Sequence, residues 1–171
     1  MVLLADGSVY SWGANKCGQL GIGSSSPKCK PTLIPTYKFI DIDCGGSFAM
    51  ASTRTGDLYS WGDNSRGQLG LGYKSSHCSP QRVRGIWNVM MFCCGWDHAL
   101  ALSKEGELYS WGNNIRGQLG LSNQDKATPI PTKVTSIPPN ILKIACGGAH
   151  SMVLLKDGSL YAWGDNSRGQ L

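Results

Sequence analysis

The sequence has few charged residues and no long hydrophobic run. Only 16% of its 171 residues are charged, whereas 41% are hydrophobic, and this balance is not that of an intrinsically disordered chain. No segment reaches the ~18 consecutive apolar residues that a membrane-spanning helix requires. The opening segment MVLLADGSVYSW has no basic start, and its apolar run ends before Asp6, so it is not typical of a secretory signal. We therefore expect a cytoplasmic or nuclear location.

Sequence patterns for metal binding and catalysis are also missing. The seven cysteines are an odd number, and without an export signal we expect reduced thiols in small buried positions. There is no Cys-x-x-Cys pair, and the adjacent Cys93 and Cys94 do not fit a zinc finger or ribbon. The segment GQLGLG lacks the Lys and Ser/Thr of a phosphate-binding loop. The sequence therefore predicts a protein that is not an enzyme and that binds no cofactor or metal.

What the sequence does contain is a segment repeated along the whole chain. The tetrapeptide Tyr-Ser/Ala-Trp-Gly occurs four times with tryptophan spacings of 49, 50 and 52 residues, Gly-Gln-Leu follows each copy, and Cys-Gly recurs at 44–45, 94–95 and 146–147. Such a period indicates one supersecondary unit per repeat. We assign structural roles to the residues of this signature, which are Trp12, Trp61, Trp111, Trp163, Gly18, Gly67, Gly117, Gly169, Cys44, Cys94 and Cys146.

Each repeat is predicted to consist of short β-strands. In the last repeat the apolar runs predict strands over 142–146, 151–155 and 160–164, and Asp157-Gly158 between the last two is typical of a tight hairpin turn. A fourth strand is predicted in each proline-containing arm, for example over 31–37 or 129–135. No apolar period of 3.6 residues is sustained, so helices should be few. The fold class predicted from the sequence is all-β.

The repeat units run approximately over 1–43, 44–93, 94–145 and 146–171, all within a single domain. The segment MVLLADGSVYSWG at Met1 matches MVLLKDGSLYAWG at Met152, so the chain holds three full periods and a 20-residue overlap. It stops on Gly-Gln-Leu, where the other three copies continue with a glycine. We expect this chain to be a fragment of a longer protein.

These motifs, taken in order, resemble the repeat of the regulator of chromosome condensation family. The resemblance rests on Cys-Gly-x-x-His, a glycine-containing hairpin, Trp-Gly and Asn-x-x-Gly-Gln-Leu-Gly, and it covers nearly all of the chain. It implies a β-propeller of four-stranded antiparallel blades around a central channel. Rings in that family commonly have about seven blades, so this chain would form a partial propeller of about three blades plus a fraction.

Two histidines occupy the same repeat position, His98 in CGWDHAL and His150 in CGGAHSM. Read from the residues alone, each is a buried histidine that bonds a neighbouring backbone carbonyl. The resemblance implies an alternative, because histidines and aspartates on the channel face of some family members contribute to nucleotide exchange on a small GTPase. Asp97, His98 and His150 match that position. Phe48 replaces the histidine in CGGSFAM, which favours packing.

Positive charge is concentrated in three variable arms, residues 22–43, 71–93 and 121–145. They hold nine basic and three acidic residues, so the repeated frame carries almost none of the net charge of +5. Lys28, Lys30, Arg82 and Arg84 are candidate contacts to an acidic partner surface. The sequence has no pattern for specific base recognition in a nucleic acid, and it does not indicate an oligomeric state.

Three functions agree with these features. The first is a protein–protein interaction scaffold, because loops on a rigid frame commonly carry binding. The second, implied by the resemblance, is guanine-nucleotide exchange on a Ran-like small GTPase. The family performs exchange with an inserted hairpin, for which the repeat spacings leave no room here. The third is a substrate-recognition propeller within a larger ubiquitin ligase.

Overall fold

The computed structural model describes residues 1–35, 37–122 and 125–171. Over these ranges it contains strands and no helix, as the absence of a helical period predicted. The strands are β1 (Val2–Leu3), β2 (Val9–Gly13), β3 (Lys28–Leu33), β4 (Asp41–Cys44), β5 (Phe48–Ser52), β6 (Leu58–Gly62), β7 (His77–Arg82), β8 (Val89–Cys94), β9 (His98–Ser103), β10 (Leu108–Asn113), β11 (Ala127–Lys133), β12 (Ile141–Cys146), β13 (His150–Leu155) and β14 (Leu160–Gly164).

The strands form four antiparallel sheets, which we call blades 1 to 4. Blade 1 is β1-β2-β3, blade 2 is β4-β5-β6-β7, blade 3 is β8-β9-β10-β11 and blade 4 is β12-β13-β14. Strands that follow each other in the chain are neighbours in each sheet, as in a meander. This arrangement confirms the predicted all-β fold of propeller blades, with two complete four-stranded blades and two three-stranded ones.

The first strands of blades 2, 3 and 4 lie next to one another. Strand β8 contacts β4 on one side and β12 on the other, so these three strands form the inner wall of the array. The hydrophobic core is divided among the interfaces between blades. One cluster joins blades 2 and 3 around Met50 and Trp111, another joins blades 3 and 4 around Leu100 and Val153, and a third lies between blades 1 and 2.

Hairpin turns follow the predicted turn chemistry. The Asp6 carboxylate accepts hydrogen bonds from the backbone N–H and the hydroxyl of Ser8, and Gly7 has a φ of 83°. In the last repeat Asp157 accepts the N–H of Ser159 in the same way. An aspartate followed by glycine thus closes the turn and fixes the register of the two strands that it joins.

The outermost strands of blades 1 and 3 lie earlier in the chain than predicted. Strand β3 spans Lys28–Leu33 and β11 spans Ala127–Lys133, instead of 31–37 and 129–135. Pairing starts earlier because Gly13 pairs with Lys28, and Asn113 pairs with Ala127. The prolines lie inside these strands because an outermost strand tolerates residues without an N–H. Thr36, in the predicted span 31–37, and residues 123–124 of the third arm lie outside the described residues.

A bulge marks the tryptophan of the repeat. The ladder between the third and fourth strands shifts register between Ser60 and Gly62, and likewise between Ser110 and Gly112. The extra residues lie on the outermost strand, because Ser60 pairs with Gln81 whereas Gly62 pairs with His77. The tryptophan keeps its regular pairing with the second strand, Trp61 with Ala49 and Trp111 with Ala99. No helix over the described ranges is long and apolar enough to cross a membrane.

Candidate interaction site

The repeated tryptophans connect each blade to the one before it. The indole N–H groups of Trp61, Trp111 and Trp163 donate to the backbone carbonyls of Gln19, Gln68 and Gln118, at 3.1, 3.0 and 2.9 Å. Each carbonyl belongs to the Gly-Gln-Leu segment of the preceding repeat. Trp61 and Trp111 are fully buried, so these two side chains have no surface available to a partner.

Trp12 differs from the other three tryptophans. Its side chain is 42% exposed, whereas the sequence predicted a packing role for all four. The reason lies in the order of the chain. The first Gly-Gln-Leu segment, Gly18–Leu20, follows Trp12 and contacts Trp61 instead, so no earlier copy in this chain can supply a carbonyl to the Trp12 indole.

The Gly-Gln-Leu segment turns sharply at its glycine and is held by an asparagine. Gly18, Gly67, Gly117 and Gly169 have φ angles between 75° and 80°, which side chains other than glycine rarely adopt. The buried Asn64 donates to the carbonyls of Tyr73 and Ser75 and accepts the N–H of Leu69. The segment GQLGLG, which resembles a phosphate-binding loop only in its glycines, is therefore a turn. Its polar groups make hydrogen bonds within the fold.

His98 is fully buried and bridges blades 3 and 4. Its Nε2 lies 2.9 Å from the hydroxyl oxygen of Ser151, which itself donates to the Gln118 carbonyl at 2.7 Å. The prediction that His98 bonds a backbone carbonyl was therefore wrong, because the serine hydroxyl of the next blade is its partner. Since the Ser151 proton is used, Nε2 carries the imidazole hydrogen. Nδ1 has no hydrogen-bond partner among the described residues.

The glycine that follows the signature cysteine of the repeat makes room for this ring. A side-chain carbon on Gly95 would overlap the imidazole of His98, and the same holds for Gly147 against His150. Burial, together with the nearby His150, lowers the pKa of His98 to about 4. The ring is therefore neutral at physiological pH and serves as a packed hydrogen-bond donor.

The preceding interface uses an apolar version of the same contact. Phe48 replaces the histidine in blade 2, and Ala99 takes the position in blade 3 that Ser151 takes in blade 4. Phe48 and Ala99 are fully buried in one cluster. Histidine thus faces serine at one interface and phenylalanine faces alanine at the other, so the position performs packing in both.

Asp97 is the chain neighbour of His98, and His150 lies close enough to His98 to lower its pKa, but only two of these three residues can be reached from outside. Asp97 and His150 are half-buried, whereas His98 is not exposed, so direct contact of His98 with a partner is excluded in this structure. Burial and the Asp63 carboxylate raise the pKa of Asp97, opposed by Arg66. No group of three His, Cys, Asp or Glu side chains over the described ranges could hold a metal ion.

The candidate basic residues lie on the outermost strands of neighbouring blades. Lys28 and Lys30 are on β3 of blade 1, Arg82 ends β7 of blade 2, and Arg84 follows it. Arg82 forms an ion pair with Asp57. Arg84 is exposed and forms no ion pair within the described residues. Its charge is therefore available to a partner.

Both arginines line an open groove of 560 Å³, which we call the tyrosine groove. Its lining residues are Tyr37, Tyr59, Leu71, Tyr73, Pro80, Gln81, Arg82 and Arg84. The rings of Tyr37 and Tyr59 lie 4.5 Å apart between centroids, and the Tyr73 hydroxyl lies 3.1 Å from Nε2 of His77.

Sequence reasoning found the arginines of this groove and missed its tyrosines. Tyr37 and Tyr73 are 38% and 46% exposed, and neither belongs to the repeat signature. Their position outside the repeated frame was the available signal. Exposed aromatic side chains beside arginine are the composition that protein interfaces favour.

Known proteins are similar to this chain in sequence and fold. The RCC1-like domain family matches residues 1–171. Human E3 ubiquitin-protein ligase HERC2 is 34% identical over 171 residues, which cover 96% of this chain and 4% of HERC2. The structure of human WBSCR16 superposes with a TM-score of 0.85 at 27% identity, covering 95% of this chain and 44% of that one. For Prp20p from Saccharomyces cerevisiae the TM-score is 0.84 at 25% identity, with coverage of 100% and 44%.

The chain thus spans less than half the length of each of these relatives. The family match over the whole chain agrees with the blade order and with the repeated tryptophan contacts between blades. We conclude that the chain belongs to the RCC1-like domain family.

Proposed function

We propose that this chain is a protein–protein interaction scaffold whose partner contacts the outer strands of blades 1 and 2. The proposal rests on one observation, which is that repeated and non-repeated residues have different roles. Buried repeated side chains such as Trp111 and Asn64 are used in contacts within and between blades. The exposed Tyr37, Tyr73 and Arg84 are not repeated and line one groove.

The composition of this surface favours an acidic protein partner. Arg84 is free to pair with a carboxylate, and Lys28 and Lys30 add positive charge on the neighbouring blade. Aromatic rings supply contact area at a low cost in side-chain entropy. The relative Prp20p has been studied for its binding to Gsp1p and histones, and a second study shows yeast RCC1 (Prp20) bound to Kap60, so proteins of this fold bind other proteins.

The test is a capture experiment with two charge-matched variants. In the first, Lys28, Lys30 and Arg84 become Glu, while Arg82 is kept because reversing it would place a second carboxylate beside Asp57. In the second, the exposed hairpin-tip residues Arg54, Lys104 and Lys156 become Glu. We expect partners captured by the wild-type chain to be lost from the first variant and retained by the second. Equal retention by both variants would refute a role for this surface.

Nucleotide exchange on a Ran-like small GTPase is the second candidate, favoured by the close superposition with Prp20p. The half-buried Asp97 and His150 near the inner wall are the residues that would take part. Exchange would work by stabilising the nucleotide-free state of the GTPase, which is a difference in binding between two protein states. The assay follows release of a fluorescent guanine nucleotide from Ran, and a rate equal to that in buffer would exclude this function.

Substrate recognition for a ubiquitin ligase is the third candidate, favoured by the 34% identity to HERC2 over 96% of this chain. The chain would bind substrates and leave ubiquitin transfer to another domain. Fusing the chain to a ligase catalytic domain tests this directly. Captured proteins should gain ubiquitin with the wild-type chain and not with the Lys28, Lys30 and Arg84 variant, and unchanged ubiquitin levels with the wild-type fusion would count against it.

A further inference from the structure

Two cysteines face each other across the interface between blades 3 and 4. Cys93 lies on β8 and Cys146 lies on β12, and their Sγ atoms are 2.8 Å apart. The Cys146 thiol also points at the Cys93 carbonyl oxygen, at 3.4 Å. Both thiols are free and half-buried. Because a disulfide bond is about 2 Å long, a sulfur displacement of under about 1 Å would join the two strands.

This pair is an exception to the repeat. Cys146 is one of the three signature cysteines, but Cys93 takes the position that Asp43 has in blade 2 and Ala145 has in blade 4. At the interface between blades 2 and 3, Asp43 reaches across and accepts the backbone N–H of Cys94 at 2.8 Å. The same position therefore bridges both interfaces, by a carboxylate in one and by a thiol in the other.

We propose that Cys93 and Cys146 form an oxidisable dithiol site, which closes to a disulfide between the blades when a peroxide reaches it. The site takes a two-electron oxidant of the peroxide class and returns to the dithiol with a thiol reductant. The proposal is independent of the function proposed above, because it rests on the inner wall and not on the outer strands.

The reaction is a balanced two-step oxidation. The Cys93 thiolate attacks one oxygen of hydrogen peroxide, the O–O bond breaks, and the departing hydroxide takes a proton to become water. Cys93 is then a sulfenic acid. The Cys146 sulfur attacks the Cys93 sulfur, an S–S bond forms, the S–O bond breaks, and the second hydroxide leaves as water with the Cys146 proton.

The surroundings decide which sulfur reacts first. Burial and the contact with Cys93 raise the pKa of the Cys146 thiol well above its usual range, so it remains a thiol and serves as the resolving group. Burial similarly raises the pKa of Cys94. Because Cys146 resolves, the attack on the peroxide is assigned to the half-buried Cys93, whereas its direct neighbour Cys94 is buried and takes no part.

The test maps disulfides in the 171-residue chain. The reduced chain is treated with hydrogen peroxide, the remaining thiols are alkylated, and a protease digest is analysed by mass spectrometry without reduction. We expect a linked pair of peptides containing Cys93 and Cys146, which dithiothreitol separates. Peroxide should also raise the thermal midpoint of the wild-type chain, because the bond restricts the unfolded state.

Three variants make the result specific. Cys93→Ala installs the residue that blade 4 carries at this position and should abolish both the linked peptides and the thermal shift. Cys146→Ser should do the same, whereas Cys94→Ser should retain both. The proposal is overturned if the wild-type chain forms no such link, if Cys29 or Cys44 pairs with Cys93 or Cys146 in equal yield, or if Cys93→Ala keeps the thermal shift.

Discussion

Lowering the pH should destabilise this propeller through one histidine. In the unfolded chain His98 takes up a proton near its ordinary pKa of 6.5, whereas the folded state resists protonation until about pH 4. Between these values the unfolded state binds more protons, so the free energy of unfolding falls as the pH falls. The contribution of neutral His98 to the free energy of unfolding is fully present above pH 6.5 and is lost as the pH drops to about 4.

The magnitude follows from the difference between the two pKa values. Each pKa unit corresponds to about 1.4 kcal/mol, so complete protonation of this site costs the fold about 3 kcal/mol. The steepest slope is about 1.4 kcal/mol per pH unit, since one proton is involved. A loss of this size is a large share of the ~5–15 kcal/mol that stabilises an ordinary domain.

The matched control replaces the histidine–serine pair by the residue pair found at the neighbouring interface. The double variant H98F/S151A introduces the phenylalanine and alanine that Phe48 and Ala99 present between blades 2 and 3. Urea unfolding followed by tryptophan fluorescence, at several pH values between 7 and 4, should show a smaller acid loss in the double variant, by about 3 kcal/mol. If both proteins lose stability in parallel, His98 is not the acid-sensitive group and the reasoning fails.

Three further substitutions, two of them with a control substitution, test the contacts between and within blades by urea unfolding. Gly95→Ala should cost several kcal/mol because its side chain overlaps the buried imidazole, whereas Gly106→Ala, with open space around it, should cost only ~1 kcal/mol for its positive φ; equal losses would contradict the overlap. Trp111→Phe removes a buried indole hydrogen bond of 3.0 Å and should cost ~2–4 kcal/mol, while the exposed Trp12→Phe should be nearly neutral. Asn64→Asp removes the donor to two carbonyls and should cost ~2–3 kcal/mol; an unchanged midpoint would show that these bonds are dispensable.

Periodicity predicted the fold because the same residues perform the same contact in every blade. The recurrence of Trp-Gly and Gly-Gln-Leu identified the blades, and Asp157-Gly158 located a hairpin turn that the structure contains. The limits of the fourth strands were missed because proline usually interrupts a strand. On an outermost strand this rule is weak, since the missing N–H is not needed for pairing.

The candidate site was only partly predictable because its residues meet across blades. Ser151 lies 53 residues beyond His98, and no local pattern announces a serine as the partner of that ring. Tyr37 and Tyr73 come from different arms, and only the fold places them in one groove. Charge counting found Arg84 because net charge depends on composition alone.

The alternation between a histidine–serine contact and a phenylalanine–alanine contact has a consequence for the order of the blades. Each blade presents one partner of such a contact to the next blade, and the partners of the two contacts cannot be exchanged. Exchanging blades 3 and 4 would place a buried imidazole against a methyl group. Its N–H would then have no hydrogen-bond partner inside the interface. A shuffled array would therefore assemble poorly even though every repeat were kept intact.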